Sequence, residues 1–118
     1  MRKDLNMRKG KMAAQASHAS MGAILQNSIR THDSIIIELT EKTRNWFLDK
    51  FTKICVSVNS EEELDQIYKN AKSAGLNVCL ITDAGLTEFN GVPTKTCLCI
   101  GPDITSDIDK ITGHLKLL

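Results

Sequence analysis

Between Ala13 and Ala23, eight of eleven residues are Ala, Ser or Gly. The surrounding segment, KMAAQASHASMGAILQNSI (residues 11–29), holds no Pro and many strong helix formers, so a helix is expected there. Met12, Ala16, Ala19 and Ala23 recur at helical spacing and define a narrow apolar stripe. Side chains this small let a helix backbone lie close against a sheet or another helix, whereas a Leu- or Ile-rich stripe would hold its neighbour further away. The rest of the chain must supply that neighbour.

Downstream signals supply a sheet. Lys53–Val58 reads as a strand. Ser60 and Glu63 have the spacing of a capping box, in which Ser60 accepts from the amide of Glu63 and the Glu63 carboxylate reaches back. The helix opened there is expected to bury Leu64, Ile67, Tyr68 and Ala71 and to stop at Gly75. LNVCLIT (76–82) is nearly all apolar, as a strand covered on both faces would be. DAGLTEFNGVPT follows as a loop with a tight turn at Asn90-Gly91. Lys95–Ile100 is a further strand, Ser106–Thr112 a short helix ending at Gly113, and LKLL a possible edge strand. Residues 30–50 are expected to form a broken helical region with Trp46 and Phe47 available to pack. Alternating strands and helices over 118 residues predict one α/β domain spanning 1–118. It should be compact, with a mixed sheet of about four strands flanked by helices on both faces.

Charge is uneven along the chain. Residues 1–11 carry Arg2, Lys3, Arg8, Lys9 and Lys11 against Asp4 alone, a net of +4, and the other 107 residues carry a net of −3. A basic end on a near-neutral domain attracts phosphate or is simply solvated. With five aromatic residues, a platform for stacking bases is not expected. No uncharged apolar run approaches the ~18 residues of a membrane span, and MRKDLNMRKGK is followed by no apolar leader segment. A cytoplasmic protein with no membrane partner is therefore expected. The four cysteines show neither C-x-x-C nor His spacing for zinc. Cys55, Cys79, Cys97 and Cys99 are expected to be buried free thiols, with Cys97 and Cys99 on opposite faces of their strand.

Candidate chemistry begins on the first helix, where Lys11, Gln15 and His18 share one polar stripe at i, i+4 and i+7. Asp83 stands at the carboxyl end of an apolar strand, where open α/β sheets bind ligands, and precedes Ala84-Gly85, which leave room for an approaching group. A carboxylate there is a catalytic base, a metal ligand or a cap for its own loop. Thr87, Thr94 and Thr96 hydrogen-bond either a ligand or the loop. No phosphate loop, dinucleotide fingerprint, nucleophile elbow or H-E-x-x-H motif is present.

These residues also carry a family likeness. RKDLNMRKGKMAAQASHAS resembles the N-terminal signature of class II peptidyl-tRNA hydrolases, the type usual in archaea and eukaryotes. TDAGLTEFNGVPTKTCLCIGP resembles the second signature, and NSEEELDQIYKNAKSAGL and ITGHLKLL are similar to the segments around it. The resemblance implies an enzyme that cleaves the ester between a peptide and the 3′ end of tRNA. It also implies no metal or organic cofactor, peptidyl-tRNA as partner, and often a homodimer. By position, Lys11 matches the second Lys of a G-K-G-K segment, His18 the His of A-H-A, and Asp83 the Asp of D-A-G. Thr87 matches the Thr shortly after, and Thr96 the second Thr of a T-x-T-like segment. Lys11, His18, Asp83 and Thr96 are thus the candidate catalytic residues, and Arg2, Arg8, Lys9, Gln15, Thr87, Thr94 and Lys95 the candidate substrate contacts. The family often has Arg where this chain has Thr82 and Leu86, and only Met1 precedes Arg2 where a first strand would run. A non-catalytic RNA- or protein-binding module on the same fold, or a hydrolase of another acylated tRNA or small ester, are the rival readings.

Overall fold

The structure, a computed structural model, describes all of residues 1–118. Helix α1 runs Lys9–Leu25. Arg8 stands at its N-cap without a side-chain cap, and no carboxylate occupies the first turn, so the first helical amides are left uncapped by any side chain. Ala19 and Ala23 are buried as the small-residue stripe requires, but Gln15 completes the buried stripe, with Met12 and Ala16 only half-buried beside it. The closeness of the packing is set at Gly22, where an added Cβ would lie 2.7 Å from Cys79 Sγ on the sheet.

That sheet is built on β4 (Val78–Asp83) and β5 (Thr94–Ile100), paired antiparallel with Cys79 opposite Cys99 and Leu80 opposite Leu98. Alternation sends Leu80, Leu98 and Ile100 into a core with Val58, Leu64 and Ile67. Cys79 and Ile81 face α1 instead. Cys97 and Cys99 are two residues apart, so the strand period places them on one face and not on opposite faces; Cys97 Sγ donates to the Gln15 carbonyl of α1. The register breaks after Ile81, which pairs with Cys97, whereas Thr82 pairs with Lys95. Thr96 is the unpaired residue of this bulge, and the extra residue turns its side chain, like that of Cys97, toward α1.

The other face is covered by α3 (Glu61–Ser73) and α4 (Thr105–Thr112). Ser60 accepts from Glu63 N at 3.1 Å as expected, but the Glu63 carboxylate accepts from Asn59 N, one residue before the cap. At the far end Leu76 N donates to Ala71 O and Gly75 N to Lys72 O, both at 3.0 Å, with Gly75 at φ +70. Only a residue that tolerates a left-handed backbone closes a helix in this way.

Strand β3 is limited to Val56–Ser57 and pairs antiparallel with β6 (Lys116–Leu117), the edge strand expected from LKLL. Met1–Lys3 links this pair to β5. Val58 N donates to Met1 O and Lys3 N to Val58 O in a parallel bridge, and Arg2 N donates to Thr96 O. The four strands β3–β6, arranged around residues 1–3, make the mixed α/β sheet with helices on both faces.

Of the broken helical region expected over 30–50, residues 41–50 are helical and the first part departs. There, in place of helix, β1 (Ile29–Arg30) and β2 (Ile35–Ile36) form a small hairpin, because isoleucines favour extended backbone. Helix α2 (Glu41–Asn45) follows, capped by Thr40, and widens into a π-type turn at Trp46–Lys50. Trp46 packs on Phe47 and Phe51, at centroid distances of 5.1 and 4.5 Å, outside the core. Cys55 is exposed here, contrary to the expectation of four buried thiols; Cys97 is buried and Cys79 and Cys99 half-buried. No helix is long and apolar enough to cross a membrane.

Candidate active site

Helix α1 lies across β4 and β5 so that its first two turns meet the carboxyl end of β4. Lys11 Nζ donates to Asp83 Oδ1 at 2.7 Å and to Thr87 Oγ1 at 3.1 Å. One turn on, Gln15 Nε2 donates to the same Asp83 oxygen at 2.9 Å. The second carboxylate oxygen accepts from Gly85 N at 2.9 Å, so Asp83 also caps its loop. The Lys11 ammonium holds the Asp83 carboxyl below the usual carboxylate range; partial burial opposes the effect, and Gly85 N–H and Gln15 add to it. Of about four acceptor positions on a carboxylate, three are filled, and one on Oδ2 stays open.

Gln15 is 1% and Thr96 0% exposed. The Thr96 hydroxyl donates to Gln15 Oε1, which fixes the amide: turned over, Gln15 would aim its carbonyl oxygen at the Asp83 carboxylate. Neither side chain reaches solvent, so both act on Asp83 from behind. His18 sits exposed on the same helix, one turn past Gln15, and makes no side-chain hydrogen bond. Thr94 lies opposite Asp83 in the β4–β5 register and donates to Val92 O at 2.8 Å, within its own loop.

An open cavity of about 440 Å³ lies above this cluster, lined by Arg8, Gly10, Lys11, Ala14, Thr87 and Glu88. Glu88 and Phe89 are site residues that sequence reasoning missed. Glu88 Oε1 accepts from Arg8 Nε at 2.8 Å, and the Phe89 ring centroid is 5.6 Å from Lys11 Nζ. Their only sequence signal was proximity to Asp83; the turn that brings them round has Phe89 at φ +69 and Asn90 at φ +51. Lys9 is exposed on the first turn of α1. Arg2 and Lys95 lie behind the site and are already paired, Arg2 with Asp4 and Glu61, and Lys95 with Asp65 and Glu61. No three His, Cys, Asp or Glu side chains converge closely enough to hold a metal ion.

This arrangement presents an ammonium group and a carboxylate with one open acceptor position beside a polar cavity, with the unpaired Lys9 on the adjoining turn of α1. It is suited to placing a water beside a carbonyl and neutralising the oxyanion that forms. A family model described as Peptidyl-tRNA hydrolase PTH2 matches residues 1–118. The chain is 48% identical over 118 residues to a protein of Methanothermobacter thermautotrophicus named peptidyl-tRNA hydrolase, covering 100% of this chain and 95% of that one. It is 44% identical to a Methanocaldococcus jannaschii protein of the same name, again over 100% and 95% of the two chains. Against the probable peptidyl-tRNA hydrolase 2 of Drosophila melanogaster it is also 44% identical, covering 100% of this chain and 59% of that protein.

Proposed function

We propose, on the premise that this chain belongs to the peptidyl-tRNA hydrolase PTH2 family, that the Lys11–Asp83 cluster is where it hydrolyses the ester of peptidyl-tRNA. The reaction adds water across the bond between the peptide carbonyl carbon and the terminal ribose oxygen, releasing peptide and free tRNA. The observation that carries the assignment is the 2.7 Å contact between Asp83 Oδ1 and the Nζ of Lys11, a residue in the wall of the polar cavity.

Roles follow from what each group has left to offer. An ammonium has three donors, and Asp83 and Thr87 take two of those of Lys11. The third donates to the carbonyl oxygen and grows stronger as negative charge develops there. Asp83 orients the attacking water through its open acceptor position and does not serve as a strong base, because its lowered pKa makes it a weak proton acceptor. Gln15 and Thr96 are positioning residues that act through Asp83. His18, exposed and without a side-chain partner, takes the proton that the attacking water loses and returns it to the departing ribose oxygen. Lys9, unpaired beside the uncapped end of α1, meets backbone phosphates of the tRNA, and Arg8, shared with Glu88, adds a weaker contact. Arg2 and Lys95 contribute less, their charge being already neutralised. The reading extends to a cytoplasmic enzyme, and the exposed isoleucines of the β1–β2 hairpin support association as a homodimer.

The test is release of free peptide from an N-acyl-aminoacyl-tRNA by the purified protein. Turnover lost in Lys11→Ala while the fold is kept supports the assignment; turnover near wild type in that variant rejects it.

A further inference from the structure

Leu86 is 87% exposed, the most exposed of the large apolar side chains in the molecule. It sits between two residues that are fixed. Before it, Gly85 is held by its N–H to Asp83 Oδ2 and by its carbonyl to Gly91 N. After it, Thr87 accepts from Lys11. An exposed leucine on a mobile tip is ordinary; one clamped on both sides beside reacting groups is presented. Gly85 (φ +80) also lies so close to the Gly91–Val92 peptide that an added Cβ would meet Val92 O at 2.6 Å. This contact draws the start of the loop against Val92, itself 59% exposed. Leu86 and Val92 thus form an apolar lip on the loop that carries Thr87.

The charges around the cavity say which part of a substrate meets this lip. Arg8 and Lys9 stand at the N-terminal end of α1, and Glu88 is turned to that side by its contact with Arg8. The polyanionic part of a tRNA ester belongs with Lys9, the unpaired cation on that side, and the carbonyl with Lys11 between. The acyl part then leaves by the other flank of the loop, where Leu86 and Val92 stand exposed. We propose that Leu86 and Val92 form a specificity lip that contacts the side chain of the esterified amino acid and favours apolar ones. This inference rests on the hydrolase reading given above.

The test compares kcat/KM for N-acetyl-aminoacyl-tRNAs that share one tRNA body and carry Leu, Phe, Gly, Asp or Lys at the ester. Wild type is expected to favour Leu and Phe over Gly and Asp by about tenfold, the size of a modest apolar contact. In Leu86→Ala the ratio should fall to about one. Leu86→Asp should invert the order in favour of Lys. Leu86 is solvent-exposed, so both variants are expected to fold. Three outcomes would overturn the lip: a wild type indifferent to the acyl side chain, a preference unchanged in both variants, or an equal loss for all five substrates. The last of these would place the terminal adenosine against Leu86 instead. Absence of hydrolysis of every substrate by wild type would reject the hydrolase reading itself, which is a separate result.

Discussion

The Thr96 hydroxyl donates to the Gln15 side-chain carbonyl at a point where Thr96 has no solvent exposure at all. The bond orients a glutamine that in turn holds the carboxylate of Asp83. Thr96→Val keeps the shape and removes the donor, leaving a buried amide oxygen unpaired, which costs about 1–3 kcal/mol. Because Gln15 then loses its fixed orientation and Asp83 one of its three contacts, kcat should fall while KM for tRNA changes little. Thr96→Ser restores the donor and should recover most of the rate. Loss in KM alone, or no rescue by Ser, would contradict the positioning role.

The ionisation of Asp83 sets an acid limit. Its pKa is lowered, chiefly by the Lys11 ammonium, so the folded state gains stability from this group above the ordinary carboxylate range. That gain is lost as pH falls through the depressed value. Stability and kcat/KM should therefore show no Asp83-dependent change between pH 5 and 8, with any such limb appearing below about pH 4. A limb between pH 5 and 8 that disappears in Asp83→Asn would contradict this reading.

Salt separates free cations from paired ones. Lys9 is exposed and unpaired, so Lys9→Ala should reduce the log–log salt slope of tRNA binding by about one phosphate equivalent. Lys95→Ala, which removes a cation already matched by Asp65 and Glu61, should change it by clearly less. Equal slopes for the two variants would contradict the placement of the phosphate path along α1.

Gly22 tests the close packing that places α1 over the site. Gly22→Ala puts a methyl 2.7 Å from Cys79 Sγ, an overpacked contact expected to cost about 1–3 kcal/mol. Cys79→Ala makes room for it, so the double variant should be more stable than the sum of the single changes allows. Additive losses would show that α1 shifts away freely.

Local rules wrote some of this structure plainly. Ser60, Glu63 and Gly75 bound α3 through contacts within a few residues, and the run of small residues at 13–23 demanded a close partner. The sequence puts Gln15 on the polar stripe as a candidate substrate contact because nothing local announces the β5 bulge, and that bulge is what turns Thr96 under the helix to meet it. The β1–β2 hairpin is not legible for a similar reason: the isoleucines favour extended backbone, but no local signal names Ile29–Arg30 as their partner. The site was legible as a set of candidates, Lys11 and Asp83 foremost. Which of them pair, and which lie behind the site, depended on contacts 68 to 81 residues apart along the chain.

The central claim is that Asp83 serves turnover and not only its loop. Asp83→Asn keeps the shape and one acceptor oxygen for Lys11, replaces the oxygen that accepts from Gly85 N–H by an NH2 group, and removes the charge. Peptide release and thermal unfolding should be measured on the same preparation, with the rate expressed per folded molecule. A fall in that rate of about 10²-fold or more, with a stability change of no more than about 2 kcal/mol, is the result this structure predicts. A variant that loses stability yet hydrolyses at close to the wild-type rate per folded molecule would contradict it.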